Sequence, residues 1–233
     1  MGNSEAQTVR LPGWVGSQYF ALLVALSLLL LVYPFWPRDI LGLATLDVLL
    51  WGVLIASIYA VSHSRPLFRF ALLLAIPTFL ADLAAFIIAT DKWLLISCLL
   101  DLAFIFFVTT VVVSNVMKEE KVGTDKIFGA ICGYILIGIL WALIYGALEL
   151  IYPGSFNGTV DSAQAGGPHF AAMDQFIYYS LVTLSTLGYG DITATTHAAR
   201  SLSSTEAIVG QLYMAILVAR LIGLHIIQSR IKN

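Results

Sequence analysis

Apolar residues fill this chain in long, nearly unbroken blocks separated by short polar stretches. A helix needs about 20 apolar residues to cross the hydrocarbon core of a bilayer. Six blocks have that length, at 18–36, 41–62, 67–89, 93–117, 126–152 and 203–228. Each is predicted to be a spanning helix. A further block, FAAMDQFIYYSLVTLS at 170–185, is too short to span. It is long enough to enter the membrane, stop and turn back as a re-entrant helix. The predicted fold class is an all-α membrane protein with six transmembrane helices and this one re-entrant helix. The pattern shows no solenoid-type repeat and no low-complexity tail.

Composition agrees with a membrane setting. Of 233 residues, 59% are hydrophobic and 11% charged, where a soluble domain is nearer a quarter charged. Mean hydropathy is +0.90. The net charge of −2 offers no basic face for nucleic acid. Cys98 and Cys132 sit inside apolar runs and read as small core residues rather than a disulfide or metal ligands. No cleavable leader is evident, because the first apolar run is long and lacks a small-residue cleavage site after it.

Basic residues orient the chain. With the N-terminus inside, the inner segments hold Arg10, Arg65, Arg69, Lys118, Lys121, Lys126, Arg220, Arg230 and Lys232, and the outer ones Arg38, Lys92 and Arg200. Nine against three places both termini in the cytoplasm of a multi-pass protein of the cell membrane. The loop at 153–169 is then external. Its triplet Asn157-Gly158-Thr159 fits a glycosylation pattern common by chance and carries no weight here.

The most particular stretch is Thr186-Leu187-Gly188-Tyr189-Gly190-Asp191. Irregular backbone survives at membrane depth only where it is buried in protein or lines a wet cavity. Gly188 and Gly190 can adopt positive φ, which other residues resist. Alternating right- and left-handed residues would turn successive carbonyls to one side as a ladder of oxygens. Leu187 and Tyr189 would pack behind it, with the Thr186 hydroxyl at the inner end. Such a ladder suits a weakly hydrated monovalent cation, and potassium-channel filters use a related TVGYG loop.

The segment TLSTLGYGD resembles the signature of the tetrameric P-loop potassium channels. A candidate pore helix precedes it, Asp191 follows the last filter glycine, Arg200 stands at the foot of the final helix, and Gly210 lies where many members place a hinge. The likeness covers about 126–229. It implies a homotetramer with four filters around one axis. Potassium would be held by backbone oxygens of Thr186, Leu187, Gly188 and Tyr189 and by the Thr186 hydroxyl, with no organic cofactor. Val182 stands where some channels carry a glutamate that pairs with the acid after the filter, so Asp191 is expected to lack that partner. Tyr178 and Tyr179 take the places of an aromatic cuff and are expected to brace Tyr189 or Asp191. Ala194 replaces a usual proline. The pore helix would point its negative end at the central cavity, with Asp174 at its positive end. On the last helix the likeness places Gln211, Met214 and Val218 toward the cavity. Gly210 and Gly223 are candidate bending points or close-packing residues. Arg220 can snorkel to the headgroups, and His225 near the inner mouth is a candidate pH-responsive group.

Ahead of the pore, residues 1–117 are expected to form a voltage-sensor-like four-helix domain, joined by a linker at 118–125 to a pore domain at 126–233. The fourth helix, KWLLISCLLDLAFIFFVTTVVVSNVM, has no arginine, whereas steep voltage dependence takes about 3–4 charges per subunit. The likeness is therefore to a six-transmembrane, prokaryotic-type channel without a charged voltage-sensor helix. Asp47, Asp82 and Asp101 each lie about 9–12 Å from the outer end of their helices at about 1.5 Å per residue. They are expected to form an intramembrane acidic cluster, or else to bond singly to groups such as Thr45, Trp51 or Tyr59. The chain runs only a few residues past the last block, so gating is expected from the filter, the inner helices, lipid, pH or an unidentified partner. The expected function is passive, potassium-selective conduction by a homotetramer in lipid, not catalysis. The alternatives are a nonselective cation channel, a transporter subunit with channel-like loops, or a regulatory subunit of another channel.

Overall fold

The structure is a computed structural model that describes residues 18–32, 35, 40–61, 64–88, 90–118, 123–158 and 170–232. Side chains are described within these ranges except at 18, 32, 40–48, 61, 91, 170–172, 221 and 224–232. The described residues are almost wholly helical: α1 (Gln18–Val32), α2 (Ile40–Val61), α3 (Arg65–Ile88), α4 (Asp91–Lys118), α5 (Thr124–Ile151), α6 (Phe170–Leu184) and α7 (His197–Lys232). Two-residue strands, β1 (Phe156–Asn157) and β2 (Thr193–Ala194), pair antiparallel with Phe156 opposite Ala194 and Asn157 opposite Thr193. Helices dominate because a helix satisfies its own backbone polar groups within one segment, as lipid requires.

Among the described residues, four helical segments are long and apolar enough to cross a membrane: Arg65–Ile88, Lys92–Lys118, Thr124–Ile151 and His197–Arg220. Within α1 and α2 the described apolar stretches are shorter, Tyr19–Leu31 and Leu49–Ala60. The chain is thus an all-α membrane protein with several transmembrane-capable helices.

α5 lies at the centre, against α1, α4, α6 and α7. Leu22, Leu26 and Leu29 of α1, at helical spacing, join a core with Cys132, Leu136 and Ile139 of α5. In α3 the inward stripe is small (Ala71, Ala75, Thr78, Ala81, Ala85), while Leu72, Leu73, Ile76 and Leu80 face outward. Lipid is as apolar as leucine, so close approach through small residues holds such helices together better than burying large ones. At the end of α5, an aromatic knot joins three elements: Tyr145 meets Phe156 at 5.2 Å and Tyr179 at 5.2 Å, and Phe156 meets Phe176 at 5.4 Å. These edge-on contacts seat α6 against α5.

Candidate functional site

α6 ends at Leu184 and the chain turns at once into the GYG loop. Thr186, Gly188 and Gly190 have φ of 57°, 58° and 81°, while Leu187 and Tyr189 between them do not take positive φ. Left-handed backbone therefore alternates with ordinary backbone, as the glycine spacing leads one to expect. Thr186 is the addition. A β-branched residue resists this region, so the surrounding bonds must hold it. Thr186 N–H donates to Thr183 O at 2.9 Å, and Leu187 N–H donates to Val182 O at 2.9 Å. Gly188 N–H also reaches the Val182 carbonyl, at 3.4 Å. Val182 thus supports the loop with its backbone carbonyl, not its side chain.

The Thr186 hydroxyl donates to Ser185 O at 2.7 Å and accepts from Gln211 Nε2 at 3.2 Å. Gln211 of α7 is in this way tied to the inner end of the loop. Leu187 and Tyr189, expected behind the ladder, are 56% and 67% exposed in the single protomer. Met214 and Val218 of α7 are also exposed.

At the other end of the loop, Asp191 is braced as expected by one tyrosine: the Tyr178 hydroxyl donates to its Oδ2 at 2.7 Å. This bond holds the Asp191 carboxyl below its ordinary value. The two tyrosines of the expected cuff divide. Tyr178 faces Asp191, whereas Tyr179 is buried and its hydroxyl sits 2.7 Å from Ser203 Oγ of α7. Arg200 donates through Nε to Ala194 O at 3.2 Å, fixing the foot of α7 to β2.

Gly210 is a close-packing residue: a Cβ there would lie 2.2 Å from the Leu184 carbonyl oxygen. α7 runs helical through both Gly210 and Gly223, and at Gly223 a Cβ would meet nothing. The His225 side chain lies outside the described residues, as do those of Asp47 and Thr45. Asp82 and Asp101 line one cavity of about 50 Å³ with Trp51, Phe104, Met173 and Ile177. The structure brings these two acids of the expected trio to one place. Tyr59 is exposed elsewhere on α2.

Several supporting residues escaped the sequence reading. Glu149 accepts from Gly154 N–H at 2.6 Å and Phe156 N–H at 3.2 Å, ordering the turn after α5. Gly158 (φ 90°) lies so close to the end of the GYG loop that a Cβ would fall 2.1 Å from Asp191 O. Glu206 of α7 is buried among Tyr145 and Ser180. Its signal was available: an acid inside an apolar spanning block is costly and calls for a reason.

Residues 155–224 match the family model described as "Ion channel". That segment holds β1, α6, the GYG loop, β2 and most of α7. The chain is 30% identical over 105 residues to two pore potassium channel c of Oryza sativa subsp. japonica, covering 42% of this chain and 22% of that protein. It is 26% identical over 129 residues to protein LctB of Geobacillus stearothermophilus, covering 52% of this chain and 94% of the relative. Protein LctB of Bacillus caldotenax aligns over the same length at 25% identity. No solved structure matches the chain. The likeness supports an ion channel embedded in a membrane.

Proposed function

We propose that the chain is the subunit of a potassium-selective channel that conducts passively through a homotetrameric pore. The observation that carries this reading is the alternation of left-handed backbone at Thr186, Gly188 and Gly190, directly after α6 and inside the segment that matches an ion channel. Carbonyls of Thr186, Leu187, Gly188 and Tyr189 from four copies would replace the hydration shell of the transported ion. The exposure of the whole loop in one protomer supports the assembly, because irregular backbone is not left facing lipid. In this reading α6 is re-entrant, all six long blocks span, both termini are cytoplasmic and the membrane is the cell membrane. Residues 1–117 form a sensor-like domain without gating arginines, followed by the linker at 118–125 and the pore at 126–233. The protein is not an enzyme.

Reconstitution into a planar bilayer, with potassium on one side and sodium on the other, tests the proposal. A reversal potential set by potassium is expected. Reversal near zero would show that sodium passes, and a chain that runs as a monomer in mild detergent and carries no current would end the reading.

A further inference from the structure

Glu206 is the one acid of α7, and its side chain is fully buried. Its hydrogen-bond partners are hydroxyls. Tyr145 of α5 donates to Oε2 at 2.5 Å, and Ser180 of α6 is in hydrogen-bond contact with Oε1. The same Ser180 hydroxyl lies 2.6 Å from the Gly138 carbonyl of α5.

Counting protons decides the state of the carboxyl. Three close oxygen pairs meet here, and each needs one proton between its oxygens. A tyrosine and a serine hydroxyl supply one proton each. With Glu206 ionised, Ser180 would face two acceptors with a single proton, and one pair would set lone pair against lone pair. With Glu206 protonated, all three are satisfied: the acid proton lies between Oε1 and Ser180, and the Ser180 proton goes to Gly138. Burial agrees, since a buried carboxylate without a cation is costly. Among the described residues, the titratable groups that face Glu206 are phenols of α5, Tyr134 and Tyr145, with Tyr179 of α6 next to Tyr145.

The knot is well placed to matter. Ser180 precedes by two residues the Val182 carbonyl that receives Leu187 and Gly188. Tyr179 meets Ser203 one turn before Glu206, and Gly210 meets Leu184 one turn after it. A shift of α6 at Ser180 would carry the filter loop with it.

We propose that Glu206 is a positioning residue, a protonated carboxylic acid that fastens the inner helix, the outer helix and the pore helix at one point and so sets where the filter sits. The role in conduction rests on the channel reading above. The protonation does not.

The full-length protein in liposomes, wild type and E206Q, gives an infrared difference spectrum at neutral pH. The wild type is expected to show a carbonyl band of a protonated carboxylic acid that E206Q loses. Loss of a carboxylate band instead would overturn the proposal. In bilayers, E206Q keeps the neutral amide geometry and is expected to retain wild-type potassium current, whereas E206A loses sustained current. The wild-type current is expected to fall at alkaline pH and that of E206Q to stay level. An alkaline response shared by both, or an E206Q as damaged as E206A, would also overturn it. Should E206A fail to assemble, the comparison of E206Q with wild type still decides. A wild type without potassium current would sink the channel reading, and the infrared arm would still report on the proton.

Discussion

At Asp191 the brace expected from the aromatic cuff is a single hydrogen bond. Val182 offers no side-chain partner, yet Tyr178, four residues earlier on the same helix, donates to Asp191. That bond depresses the carboxyl's titration. A group depressed on folding contributes stability above its unfolded value, which is about pH 4 for aspartate. The contribution is lost as pH falls through the lower folded value. Y178F is expected to return Asp191 toward the ordinary range, read by carboxyl NMR, and to speed decay of the current at constant voltage. An Asp191 titration identical in both proteins would remove the bond from the account. Gly210 poses a sharper choice. A Cβ there would meet backbone, the Leu184 carbonyl, which cannot rotate away as a side chain can. Overpacking of this kind costs about 1–3 kcal/mol. G210A is therefore expected to lower the melting temperature in detergent. If its melting is unchanged and only its gating differs, bending rather than packing explains the glycine.

Among elements, the short ribbon of β1 and β2 carries more than its length suggests. It holds the chain leaving the GYG loop against the turn after α5, helped by Thr195 N–H donating to Ser155 O at 2.9 Å and Thr195 Oγ1 to Gly154 O at 2.6 Å. Gly158 sits at the tightest point, with φ 90° and the Asp191 carbonyl where a Cβ would go. In the proposed channel, G158A is expected to distort the exit of this loop, read as weaker preference for potassium over sodium with helical content unchanged. G154A has a similar φ of 84° in open space, so only the conformational cost of about 1–2 kcal/mol applies and selectivity should hold. Equal effects of the two would show that strain, not contact with Asp191, is the cause. The ribbon was not legible in the sequence, because two residues cannot show a period. The long apolar blocks were legible, since 126–152 and 67–89 match α5 and α3 to within two residues. The start of α7 was missed: the block begins at 203, but the helix begins at His197. Polar His197, Arg200 and Ser201 hid one and a half turns that an N-cap supports, Thr196 Oγ1 accepting from Ala199 N–H at 3.3 Å. The loop geometry at 186–190 could be read because glycine spacing dictates it locally. Glu206 could not be placed, because its partners lie 26 and 61 residues away.

For the whole molecule, hydrophobicity alone does not tell the lipid face from an interface, since Leu73 and Ile87 of α3 are as exposed as Tyr189. What separates them is polarity. α3 presents side chains only, whereas the side of the GYG loop presents loop backbone and Gln211, which lipid cannot satisfy. In the proposed tetramer, assembly through that side would leave α3 and α4 at the periphery, where a voltage sensor would have to move. α4 carries Asp91 and Lys92 at one end, Asp101 inside, Lys118 at the other end and no arginine. Each elementary charge moved through the full field contributes about 2.3 kcal/mol per 100 mV, so two acids and two lysines on one helix largely cancel when it shifts as a body. Open probability is therefore expected to stay flat across a voltage range that opens arginine-bearing sensors fully, and D101N should leave it flat. A steep curve in the wild type that flattens in D101N would mean instead that Asp101 moves relative to Asp82 across their shared cavity. The acids would then be gating charges of negative sign rather than fixed features of the packing.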